Sequence, residues 1–169
     1  MGAIQTRQAV DDTNNGQIAS AWILKVSDNL NVAISQYEMN HLEEQSDFIK
    51  IPKSPAWCNS VMLWKNQVVP VMDFTHWEVE HNTTGMSESG PVMVAIIRLV
   101  HTNSNVARYG AIRILQPPVL ERVNNQQACQ KTDITNKFSD VALSAFNYHD
   151  QTVVPVLDIE KLFSGAIEQ

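Results

Sequence analysis

Glycine is scarce in this chain of 169 residues, with only 6. Backbone that cradles phosphate needs glycine where a side chain would clash, and neither a glycine-rich phosphate loop nor a dinucleotide fingerprint occurs. Cysteine is scarcer still: Cys58 and Cys129 stand alone, without CxxC spacing. This argues against a disulfide framework and a thiolate zinc site, and it predicts two reduced, mostly buried thiols. Positive charge is also short, at 12 Lys plus Arg against 18 Asp plus Glu, for a formal net charge of −6. With no basic cluster to neutralise phosphates, a nucleic-acid partner is not expected. No apolar run approaches the length of a membrane span, and residues 1–8 lack the basic-then-apolar order of a signal peptide. The expectation is a cytoplasmic protein without membrane insertion. The serine-nucleophile elbow and the zinc-protease helix are missing as well.

What is present is ordinary globular material, 44% hydrophobic and 18% charged, enough for one substantial core or two small ones sharing an interface. Its most informative feature is a repeat. Val68-Val69-Pro70-Val71-Met72-Asp73-Phe74 returns as Val153-Val154-Pro155-Val156-Leu157-Asp158-Ile159, 85 positions later (155 − 70). Unbroken β-branched runs favour buried strands, and an acid directly after suits a turn or helix cap. Proline donates no ladder hydrogen bond, so each strand is expected at a sheet edge or with a bulge. Two such strands half a chain apart predict two similar lobes.

Residues 1–17 are polar, with no face to bury, and are expected to form a disordered tail before a domain over 18–169. Residues 21–26 and 30–34 flank Ser27-Asp28-Asn29 and predict a hairpin. Tyr37, Met39 and Leu42 among acids and polar residues predict a short amphipathic helix. A short strand at 48–51 ends at Pro52, and Lys65-Asn66 sits where a hairpin turn should deliver the first repeat. A second hairpin is expected from 92–99 and 107–115, ended by Pro117-Pro118. Residues 119–123 are compatible with a short helix or with extended chain, and 124–137 carry little signal. Residues 138–148 precede the second repeat, and 160–163 predict a terminal helical turn closed by Gly165. Many short strands at close spacing indicate an all-β protein of barrel type.

Three groups of residues are candidates for a functional role. Asp73 and Asp158, at equivalent places in the repeat, form a candidate carboxylate dyad for a hydrolase, but the Asp-Thr/Ser-Gly signature of aspartic proteases is absent and capping a turn is the simpler role. His76 and His81, with Glu78 and Glu80 between them, form a candidate metal site whose spacing does not match a helical pair. Trp57, Trp64 and Trp77 cluster around the first repeat, where one is expected near a binding surface, whereas Trp22 fits a core.

Residues 51–74 carry a resemblance. Ile51-Pro52-Lys53-Ser54-Pro55 leads through Val61, Leu63, Trp64, Lys65 and Asn66 into Val68-Val69-Pro70-Val71-Met72-Asp73-Phe74. This run resembles, without a gap, the I-P-x-x-P … N-L-R-G-x-V-V-P-V-x-D-L pattern of the CheW-like adaptor domain of chemotaxis-type signalling. The likeness extends from Ala21 to Phe163 and is sharper in the first half. It implies two SH3-like five-stranded β-barrels packed together, with short helices between strands and at the C-terminus, and no catalysis or cofactor. It also implies partners: the regulatory domain of a CheA-like histidine kinase and a chemoreceptor signalling tip, in chemotaxis or in type IV pilus (twitching) motility. Carried over from matching positions, Val32, Ile34, Ser60, Val61, Met62 and Lys65 are the candidate partner-binding residues, in a groove between the lobes. The chain departs from the pattern at Ser60 and Asn66 (usually glycine), Leu63 (asparagine), Lys65 (arginine), His41 (an acid) and Arg113 (aspartate). Lys65 keeps the charge but loses the planar fork that grips a carboxylate with two bonds. A stand-alone SH3-like interaction module is the remaining alternative.

Overall fold

The computed structural model describes residues 18–45, 47–76, 92–99, 107–130, 138, 140–149 and 152–167. The described residues form twelve strands: β1 (Ile18–Ser27), β2 (Leu30–Ser35), β3 (Met39–Gln45), β4 (Ile49–Lys50), β5 (Ser60–Trp64), β6 (Gln67–Met72), β7 (Val92–Leu99), β8 (Arg108–Ile114), β9 (Val119–Asn124), β10 (Ala128–Cys129), β11 (Ala142–Tyr148) and β12 (Thr152–Leu157). One helix, α1 (Ile159–Ile167), follows. Sheet order is β9-β1-β2-β12-β11-β10 in one lobe and β3-β7-β8-β6-β5-β4 in the other. Each sheet is therefore five substantial strands plus a two-residue strand at one edge, which is the pair of five-stranded SH3-like barrels expected. The first lobe, A, takes strands from both ends of the chain; the second, B, is continuous from β3 to β8.

The repeat is the hinge of this architecture. Val71 on β6 pairs in parallel with Ala111 on β8, and Val156 on β12 pairs in parallel with Ala33 on β2. Each alanine faces an isoleucine on its other side, Ile96 on β7 and Ile23 on β1. A serine flanks each valine, Ser60 on β5 and Ser144 on β11. The two lobes thus carry the same Ser-Val-Ala-Ile rung in the same strand order.

Of the two settings expected for the prolines, neither strand is at a sheet edge, and an irregularity lies beside only the second, between Ala142 and Ser144 on β11. β6 lies between β8 and β5, and β12 between β2 and β11. Pro70 and Pro155 each fall one residue before the parallel bridge, where the missing N–H deprives no ladder of a donor. The helix expected at 37–42 is also corrected: residues 36–38 turn and β3 begins at Met39. Met, Leu and Glu favour a helix locally, but pairing along the whole of β3 with β7 overrides that preference. Residues 119–123 take the extended alternative, as β9. The terminal helix runs past Gly165 to Ile167 instead of stopping there.

Both barrels close by the same side-chain device. On β5, the Trp64 indole N–H donates to Glu43 Oε1 on β3 at 3.1 Å. Its counterpart on β11, Tyr148, donates its hydroxyl to Glu121 Oε1 on β9 at 3.3 Å. Register makes these pairs equivalent: Trp64 pairs with Gln67 as Tyr148 does with Thr152, and Glu43 pairs with Val94 as Glu121 does with Ala21. The largest core cluster lies between the lobes, joining Leu24 and Ile34 of one to Ile97 and Ile112 of the other, with Leu162 and Phe163 of α1. Among the described residues no helix is long and apolar enough to cross a membrane.

Candidate functional site

The β5–β6 hairpin is built on clean alternation. Met62, Trp64, Val69 and Val71 point into the core of lobe B. Val61, Leu63, Val68 and Pro70 therefore point out, since neighbouring side chains alternate between faces. Pairing sets them side by side: Ile49, Val61 and Pro70 form one row, Leu63 and Val68 the next. Ile49 is 63% exposed, Leu63 60% and Val68 70%, so this outer face is apolar and open to solvent. Contiguous exposed apolar surface of this kind marks interaction sites more often than isolated apolar residues do. Lys50, Lys53 and Lys65, all exposed, sit on the same strands and turns. They place positive charge around an apolar face in a chain of net charge −6.

The turn that joins the strands is held in the left-handed region, with φ 47° at Lys65 and 62° at Asn66. Two successive positive φ values describe a type I′ hairpin turn, whose twist matches the strands. Asparagine tolerates this conformation, whereas lysine pays for it. The Lys65 Nζ lies 4.3 Å from the centroid of the Trp64 ring, in a cation–π arrangement. Trp64 is in turn fixed by its bond to Glu43 and by edge-on packing with Tyr109 at 4.8 Å. The lysine is thus presented on a rigid support.

The six sequence-derived candidates divide. Ser60, Val61, Met62 and Lys65 share the hairpin, while Val32 and Ile34 lie on β2 in the other sheet. Val32 and Ile34 are 0% exposed in the inter-lobe core, and Met62 is 1% exposed in the core of lobe B. Their side chains pack the interior of the fold. Ser60 and Val61 are half-buried and Lys65 is exposed. Ile49, Leu63 and Val68 are not among those candidates, yet they are exposed on this face. The signal was that residues 61–64 are apolar on both parities, so no face was left for water.

The carboxylates of the repeat are occupied structurally. Asp73 Oδ1 accepts hydrogen bonds from the Thr75 N–H at 2.9 Å and from the Thr75 hydroxyl, and Oδ2 accepts from Arg113 at 3.0 Å. Arg113, the departure from the family's aspartate, is therefore the ion-pair partner of the first repeat's acid. Asp158 accepts from the Lys161 N–H at 3.0 Å and caps α1. Each acid serves its own strand end, Asp73 through Thr75 and Arg113, and Asp158 through Lys161. His76 closes a one-turn 3₁₀ helix, Phe74–His76, while Glu78, Glu80 and His81 lie outside the described residues. Among the described residues no group of three or more His, Cys, Asp or Glu could hold a metal ion.

Comparison with known proteins follows the same lines. A family model described as CheW-like domain matches residues 20–166. Among solved structures, the scaffolding protein TtCheW from Thermoanaerobacter tengcongensis shares the fold with a TM-score of 0.62, at 8% sequence identity, over 84% of this chain and 90% of that one. No curated protein matches the sequence at a significant level.

Proposed function

The chain belongs to the CheW-like domain family, and from that premise we propose that it is a non-enzymatic signalling adaptor coupling chemoreceptor-like proteins to a CheA-type histidine kinase. The observation that carries the proposal is the outer face of the β5–β6 hairpin. It presents Ile49, Leu63 and Val68 to solvent beside Lys65, which stands on a fixed indole. Such a face fits a partner with apolar side chains flanked by acids: the apolar contact supplies the free energy, and the lysines favour approach and register. Contacts of this size are individually modest and gain strength when several adaptors engage one assembly. Chemotaxis and pilus motility are both compatible with it.

The test is a pull-down of the full chain with the receptor signalling tip and with the kinase regulatory domain encoded by the same organism. Lys65→Glu and Leu63→Asp should each weaken capture of at least one partner while the circular dichroism spectrum stays native. Undiminished capture by both variants would remove the hairpin from the interface, and capture of neither partner by the unaltered chain would end the adaptor reading.

A further inference from the structure

The strand register that equates the two lobes also shows where they differ. Ile96 in lobe B is equivalent to Ile23 in lobe A, because each pairs with the alanine of the shared rung. Two and four residues back along those strands, Val94 is equivalent to Ala21 and Val92 to Ala19. On the other side of the barrel, Met62 pairs with Val69 as Phe146 pairs with Val154, so these two are equivalent. Extending the β4–β5 register by one residue puts Phe48 opposite Met62, and the residue opposite Phe146 is Ala128. Val94 belongs to the core of lobe B, and Phe48 and Val92 pack against it. Lobe A therefore has three alanines where lobe B has two valines and a phenylalanine.

Space opens at the same place. A cleft of about 490 Å³ is lined by Ala19, Ala21 and Ala128, with Phe146 beside them. Ser20, Ser35, Ser144 and Asn124 add hydroxyl and amide groups, and none of the described residues that line it is charged. Its volume falls within the ordinary range of small-molecule sites, which are mostly apolar with a few polar groups that fix orientation. A charged ligand would lose hydration there with no opposite charge among the described lining residues in return. The missing side chains leave room for a ring, since the counterpart of Ala128 is Phe48.

We propose that this cleft is a binding site for a small uncharged molecule with an aromatic ring and one hydrogen-bonding substituent. The site lies in lobe A, on strands other than the β5–β6 hairpin, and does not depend on the adaptor reading. Occupancy would stabilise the fold by mass action, because the site exists only in the native state.

Titration of the full chain with indole, benzyl alcohol and benzoate, followed by amide and methyl NMR shifts, tests the proposal. Indole or benzyl alcohol should produce saturable shifts at Ala19, Ala21, Ala128 and Phe146, and benzoate should not. Filling the space with Ala21→Val and Ala128→Phe together should weaken the neutral probe by about tenfold or more, as expected when added methylenes occupy a site. If that pair does not fold, Ala19→Val alone, at an exposed position, should still lower the affinity. Absence of saturable shifts with both neutral probes, equal binding of benzoate, or affinity unchanged by filling would each overturn the site.

Discussion

Lys65 and Glu38 show how a single residue can be held against its own preference. Lys65 adopts a left-handed backbone, which costs a non-glycine residue about 1 kcal/mol or more. Its cation–π contact with Trp64, at an exposed site, returns only about 0.5 kcal/mol. The turn alone would favour asparagine, so stability does not account for the lysine, and strain kept at an exposed tip points to function. Lys65→Asn should therefore leave stability unchanged or raise it by up to about 0.5 kcal/mol in urea unfolding, while partner capture falls; a loss of both would show a structural role. Glu38 lies in the turn between β2 and β3, where its Oε2 accepts from the Ser35 N–H at 2.7 Å. Burial holds its carboxyl above the ordinary value of 4.5, with the charge of Asp158 adding to the rise and the Ser35 bond opposing it. A carboxyl with a raised native pKa binds its proton more tightly in the folded state than in the unfolded one. Its contribution thus favours the fold at acid pH and is lost as pH rises from about 4.5 through the raised value. Measured against pH, the stability of Glu38→Gln relative to the unaltered chain should increase across that window and then level off; a flat difference would mean that the carboxyl titrates normally.

At the scale of elements, α1 does more than close the chain. It follows β12 of lobe A, yet Phe163 packs over Gly110 on β8 of lobe B. A Cβ at Gly110 would lie 2.4 Å from the Phe163 ring, which is itself buried. Gly110→Ala should destabilise the protein by about 1–3 kcal/mol, the usual cost of overpacking, and Gly110→Ala with Phe163→Leu should recover part of it. Additive losses in thermal unfolding would break the link between these two residues. The elements differ in how far the sequence announced them. The first hairpin, the Lys65-Asn66 turn and the paired Val-Val-Pro-Val strands were legible because turn residues and β-branched runs are local signals. β3 was not, since His41, Leu42, Glu43 and Glu44 favour a helix until β7 supplies a partner. The sheet-interior position of both prolines was equally hidden, because only the register shows that each parallel ladder starts one residue later. Of the candidate site, Lys65 and its hairpin were visible from the family pattern, but the inward aim of Val32, Ile34 and Met62 depends on which face each strand turns to the core.

For the molecule as a whole, the question is whether two equivalent lobes behave as two units. Their closures are separate, Glu43 with Trp64 in one and Glu121 with Tyr148 in the other. Their cores are not. The largest cluster takes Leu24, Val26, Val32 and Ile34 from lobe A, and Met72, Ala95, Ile97, Ile112 and Ile114 from lobe B. Splitting the lobes would expose this cluster on both sides, and at roughly 25 cal/mol per Å² of apolar surface the loss would outweigh what either small barrel core holds alone. The connectivity acts in the same direction, since lobe B is inserted between the two halves of lobe A. Unfolding should therefore be a single transition. Fluorescence of two variants that keep one indole each, Trp22 on β1 or Trp64 on β5, should give the same urea midpoint within error, matching far-ultraviolet circular dichroism. Ile112→Ala, from the shared cluster, should lower the Trp22 and Trp64 midpoints together by a loss of about 2–5 kcal/mol. A midpoint for Trp22 that stays in place while that for Trp64 falls would show that the lobes unfold independently.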